Sequence, residues 1–135
     1  MCSSDLDQVK EALFNILGSA VQGSEFLDLF AGTGSVGIEA LSRGASHATF
    51  IEKNQIALQT IRENLELTQF TQQASVIQAD VFEWVSRDSA DAYDFAYVAP
   101  PQYFKLWSKA VRRLDQNPDR LNLDAWVIEI GRAHV

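Results

Sequence analysis

The residues with the clearest chemical pattern are three glycines and three acids in the first 80 positions. Phe26-Leu27-Asp28-Leu29-Phe30-Ala31-Gly32-Thr33-Gly34-Ser35-Val36-Gly37 contains G-x-G-x-x-G at Gly32, Gly34 and Gly37. Glycines let a backbone turn sharply and approach a ligand without a Cβ clash. An apolar run precedes this loop and a helical pattern follows it, which is the setting a nucleotide-type cofactor loop requires. Glu52 follows Gly32 by twenty residues, at the end of the next apolar run. An acid there can accept hydrogen bonds from both hydroxyls of a ribose.

The loop alone fits a dinucleotide as well as a methyl donor of adenosine type. Asp28 separates the two. It lies four residues before Gly32, inside a buried-strand pattern, where an unpaired charge is costly. A sulfonium and an ammonium would be complemented by that carboxylate, whereas a pyrophosphate would be repelled. The plainer reading of Asp28 is a strand-end side chain bonded to local backbone. Asp80, in Gln78-Ala79-Asp80-Val81, offers an acceptor for an exocyclic adenine amine, with Val81 supplying backbone N–H and apolar contact. The plainer reading of Asp80 is a helix N-cap.

Parallel α/β architecture is the expected frame for these residues, because helical and strand patterns alternate. Helices are predicted at 9–17, 35–43, 55–67, 81–86 and 104–114. In the first, Val9, Leu13, Ile16 and Leu17 share a face, Gly18 ends it, and Ser4 to Asp7 has capping-box spacing. Asn54 caps the third. Strands are predicted at 26–30, 48–51, 74–78, 95–98 and 125–130, the fourth broken by Pro100-Pro101. Length and composition agree: 135 residues, 47% of them hydrophobic, suit one globular domain. No apolar run approaches the roughly 20 residues of a membrane span, and no secretion signal is visible. The lone Cys2 excludes an internal disulfide or a multi-cysteine zinc site and is consistent with a reducing cytoplasm. His47 and His134 have no metal-like partners, so no metal is expected. A net charge of −7 argues against a broad nucleic-acid-binding surface but leaves room for a local basic patch.

Several segments together resemble the RsmD family of small-subunit ribosomal RNA (guanine-N2-)-methyltransferases. Val9-Lys10-Glu11-Ala12-Leu13-Phe14-Asn15-Ile16-Leu17 is similar to that family's first helix, and Asp28 to Gly37 to its cofactor loop. Glu39-Ala40-Leu41-Ser42-Arg43-Gly44-Ala45 and Phe50-Ile51-Glu52 continue the likeness. The resemblance implies a Rossmann-like class I methyltransferase sandwich of three layers, with strand order 3-2-1-4-5-7-6. It implies S-adenosyl-L-methionine as cofactor and a guanine amine of ribosomal RNA as acceptor. Carried over by position, Asp28, Phe30, Ala31, Gly32, Thr33, Gly34, Glu52, Lys53, Asp80 and Val81 would form the cofactor site. The domain would span 7–130 and stop after the fifth strand, leaving that strand's edge unpaired. Residues 1–6 and 131–135 read as non-native or unstructured ends. The full-length protein is expected to be monomeric.

One departure bears on catalysis. The family's loop is D-P-P-Y or D-P-P-F, and here it reads Ala99-Pro100-Pro101-Gln102-Tyr103. An aryl amine is a poor nucleophile, and acceptors for its N–H bonds orient it for attack. Ala99 cannot supply one. The Pro100 carbonyl remains, Gln102 offers an amide oxygen, and Tyr103 would stack on the flipped-out base. The competing expectation is a weak or inactive enzyme that keeps cofactor binding and contacts RNA. A methyltransferase acting on DNA or protein amines is a further alternative. Past this loop, Lys105, Lys109, Arg112 and Arg113 would share one helix side, either as RNA phosphate contacts or as an ordinary solvated face.

Overall fold

The computed structural model describes residues 2–87, 91–98, 112–113, 116 and 121–129. Its core is a five-stranded sheet. In chain order the elements are α1 (Cys2–Leu17), β1 (Glu25–Leu29), α2 (Ser35–Ser42), β2 (His47–Glu52), α3 (Gln55–Thr68), β3 (Ala74–Gln78), α4 (Val81–Ser86), β4 (Tyr93–Val98) and β5 (Leu121–Glu129). All pairs are parallel and the order is β3-β2-β1-β4-β5. Parallel strands covered on both faces read as nearly continuous apolar runs. That accounts for the burial of Phe26, Leu27, Leu29, Ala48, Phe50, Ile51, Phe95, Ala96 and Val98.

Alternate side chains of β1 feed two cores. Phe26 packs with Phe14 and Leu17 of α1, Val36 and Leu41 of α2, and Ile61 and Leu65 of α3. Leu27 and Leu29 pack on the other face with Val81, Trp84 and Val85 of α4. The result is the expected three-layer α/β sandwich, and its strand order matches the first five positions implied by the resemblance. Among the described residues, β5 is one edge of the sheet.

Two details of α1 differ from expectation. The helix runs back to Cys2, so Ser4 lies within it and does not cap it. Its apolar face is carried by Phe14 and Leu17, with Leu13 half-buried, while Ile16 is 74% exposed. Phe14 and Leu17 are three apart and stack on one side, whereas Ile16 is turned about 200° from Phe14. Elsewhere the predicted boundaries hold within a residue or two, except that β5 begins at Leu121. The helix predicted at 104–114 lies outside the described residues apart from Arg112 and Arg113, which are helical.

Candidate functional site

Strand order reverses direction at β1, whose neighbours are β2 and β4. In open α/β sheets, ligands bind outside the carboxyl ends of the strands at such a point. The glycine loop sits there, between β1 and α2. Phe30, Gly32 and Gly34 all have left-handed backbones, with φ of 59°, 60° and 79°. Ala31 N–H donates to the Ile51 carbonyl at 3.1 Å, pinning the loop to β2, and Gly34 N–H donates to the Ala31 carbonyl at 2.8 Å. From α3, Asn64 Nδ2 donates to the Thr33 carbonyl at 3.1 Å. Gly37 is needed for another reason: a Cβ there would meet the Phe50 ring at 2.4 Å. The third glycine thus lets α2 lie directly on the sheet.

Each of the three acids holds backbone near this crevice. Glu52 does so with both oxygens: Oε1 accepts from Gly32 N–H at 2.8 Å and Oε2 from Asn54 N–H at 3.0 Å. It therefore straps the glycine loop to the end of β2 and still has lone pairs for further donors. Asp80 lies two residues past β3, and its Oδ1 accepts from the N–H groups of Phe82 and Glu83 at 2.9 and 3.2 Å. The N-cap reading of Asp80 is correct as geometry, and it leaves Oδ2 available for a ligand donor. Val81 is buried beside it as the first residue of α4.

Asp28 is the most perturbed of the three. It is 2% exposed, and its Oδ2 accepts from Gly37 N–H at 3.1 Å. Burial raises its pKa from 3.8 to about 8; the Gly37 hydrogen bond opposes the rise and the nearby Glu52 charge adds to it. Its register partner on β4 is Tyr97, whose own pKa is pushed up to about 12 by burial and by Asp28. The backbone contact anticipated as the plainer reading of Asp28 is therefore present. A cation placed against this carboxyl would favour its ionised form.

The structure thus brings Asp28, Phe30, Ala31, Gly32, Thr33, Gly34, Glu52, Asp80 and Val81 to one end of the sheet. Lys53 follows Glu52 and is exposed, its carbonyl accepting from Gln78 Nε2 at 3.3 Å. Pro100, Gln102, Tyr103, Lys105 and Lys109 lie outside the described residues. One member of the expected basic face is corrected. Arg113 is turned onto α4, where its NH1 donates to the Phe82 carbonyl at 3.2 Å and to Ser86 Oγ at 3.0 Å. Neither this docking nor the roles of Gly37 and Asn64 were read from sequence. The third glycine of the motif was a usable signal for Gly37. Asn64 and Arg113 carry no local pattern.

The model of the family described as conserved hypothetical protein 95, the RsmD family, matches residues 5–130. The chain belongs to that family. Its sequence is 37% identical over 113 residues to ribosomal RNA small subunit methyltransferase D of Haemophilus influenzae, covering 82% of this chain and 58% of that protein. It is 34% identical over 88 residues to ribosomal RNA large subunit methyltransferase K/L of Vibrio cholerae, covering 64% of this chain and 12% of that one. A solved structure of yhhF from Escherichia coli superposes with a TM-score of 0.76 at 29% identity, covering 89% of this chain and 63% of that chain. The chain spans about half the length of the small-subunit relatives it matches. The fold is the Rossmann-like class I methyltransferase sandwich. The cofactor implied by these methyltransferase relatives is S-adenosyl-L-methionine. The donor set fits it: a buried carboxyl for a cation, a carboxylate at the end of β2 for a ribose, and a free acceptor oxygen at Asp80 for an amine.

Proposed function

We propose that this chain is the cofactor-binding part of a methyltransferase that modifies the exocyclic N2 of a guanine in small-subunit ribosomal RNA. The observation that carries the cofactor half of the reading is the set of three acids at the strand ends around the glycine loop, with Asp28 buried against Gly37 and Glu52 holding Gly32; the acceptor follows the small-subunit relatives. A buried carboxyl that an arriving positive charge can ionise suits a cationic ligand, and its ionised form would repel an anionic pyrophosphate. When bound, the cofactor supplies an electrophilic methyl group.

In this reading the chain's residues act mainly by binding and positioning. Asp28 gives up its proton as positive charge arrives, and becomes the counter-ion. Glu52 receives the ribose hydroxyls while keeping Gly32 in place. Asp80 Oδ2 takes the adenine amine, with Phe30, Ala31, Thr33, Gly34, Lys53 and Val81 forming the remaining wall. On the acceptor side, the Pro100 carbonyl and the Gln102 amide oxygen accept from the guanine amine, and Tyr103 stacks on the base. Lys105 and Lys109 contact RNA phosphates. The full-length protein acts in the cytoplasm as a monomer.

Transfer of labelled methyl groups from S-adenosyl-L-methionine to ribosomal subunits, DNA and protein tests the assignment. Label on guanine N2 of small-subunit RNA is expected, and label on DNA or protein alone would overturn it. Ala99 favours a second reading, since it removes the side-chain acceptor of the catalytic loop. In that reading the protein binds cofactor and RNA with little or no turnover. Unchanged transfer by Gln102→Ala would remove the role given to that amide.

A further inference from the structure

We propose that Arg113 is a positioning residue for the cofactor crevice, coupled to the glycine loop through Phe82 and Phe30. The inference rests on reading this crevice as the cofactor site. The helix α4 is six residues long, too short to be stable on local hydrogen bonds alone. Asp80 ties its first turn from one side. From the other, Arg113 NH1 donates to the Phe82 carbonyl and Ser86 Oγ, and Ser86 Oγ itself donates to the same carbonyl at 2.9 Å. The Arg113 guanidinium also lies over the Phe82 ring, 6.0 Å from its centre.

The Phe82 ring meets Phe30 edge-on, with centroids 5.8 Å apart. Phe30 is one of only two non-glycine residues among those described with a left-handed backbone. Such a conformation persists where surrounding contacts impose it. Two residues later comes Gly32, whose N–H is held by Glu52. A continuous set of contacts therefore runs from Arg113 through Phe82 and Phe30 to the loop that Glu52 grips. Arg113 lies ten residues past Tyr103 in sequence. Displacement of Arg113 would thus be felt at the cofactor loop.

The test uses Arg113→Met, which keeps much of the stem, and Arg113→Lys, which keeps the charge without the planar stack. Amide hydrogen exchange is measured on the ligand-free chain, and S-adenosylhomocysteine affinity by calorimetry. In Arg113→Met, exchange at Gly32 and Gly34 as well as at Phe82 and Glu83 should quicken about tenfold, and the dissociation constant should rise about tenfold. Arg113→Lys should recover part of both effects. Faster exchange confined to α4, with Gly32 and Gly34 and the affinity unchanged, would overturn the proposal. If the unaltered chain does not bind S-adenosylhomocysteine, the cofactor reading fails, and exchange at Gly32 and Gly34 alone decides the coupling.

Discussion

Asp28→Asn should make the protein more stable as pH rises, and the size of the gain follows from the burial of this side chain. The unfolded chain ionises Asp28 near 3.8, whereas the folded chain keeps the proton until about 8. Between those values the unfolded state binds fewer protons, so folding stability falls with rising pH. The loss begins above the unfolded pKa, grows by at most about 1.4 kcal/mol per pH unit, and stops above the folded pKa. Asparagine does not titrate, and its Oδ1 can still accept from Gly37 N–H. The difference in stability between variant and parent should therefore widen by up to about 4 kcal/mol from about pH 5 to about pH 8. Below about pH 4 and well above about pH 8 it should be flat. Urea unfolding of both proteins at matched pH values reads the difference directly, because groups that do not interact with Asp28 titrate alike in the two. Parallel stability curves across the window would refute the argument, since they would mean that folded Asp28 is already ionised.

Binding should move the opposite way in the same variant: Asp28→Asn should weaken S-adenosylmethionine about tenfold and S-adenosylhomocysteine, which lacks the sulfonium, by less, as calorimetry would record. In the parent, affinity for S-adenosylmethionine should rise with pH up to about 8, where the free-state proton is lost; a flat profile would separate Asp28 from the cation. Asp80→Asn should keep the α4 cap, because Asn Oδ1 can accept from Phe82 and Glu83, yet lower adenosine affinity by replacing Oδ2 with a donor. Asp80→Ala should lose the cap as well, at about 1 kcal/mol of stability by chemical denaturation. Gly37→Ala should cost about 3 kcal/mol or more in the same assay, because its Cβ would enter the Phe50 ring.

Much of this arrangement was legible in the sequence because the relevant signals are local. An apolar strand, a glycine loop and a following helix occupy one stretch of chain, and β2 delivers Glu52 at a fixed distance. Parallel pairing then brings these strand ends together without further information. What could not be read were contacts that depend on side-chain direction across elements. Phe14 replaces Ile16 on the buried face of α1 because helix rotation is set by its seat on Phe26. Arg113 looked like one more exposed cation in a basic stripe, yet tertiary packing turned it onto the carbonyl of Phe82. The dual use of Asp80 and Glu52, as backbone ties as well as ligand acceptors, also appears only when the loops are placed.

The crevice at the carboxyl ends of β1, β2 and β3 is proposed to hold an S-adenosyl group. Calorimetric titration of the chain with S-adenosylhomocysteine and, in parallel, with NAD tests it most directly. Saturable one-to-one binding of S-adenosylhomocysteine, weakened by Glu52→Gln, is expected, and none of NAD. Binding of NAD with equal or greater affinity, or no binding of S-adenosylhomocysteine by the folded chain, would contradict it.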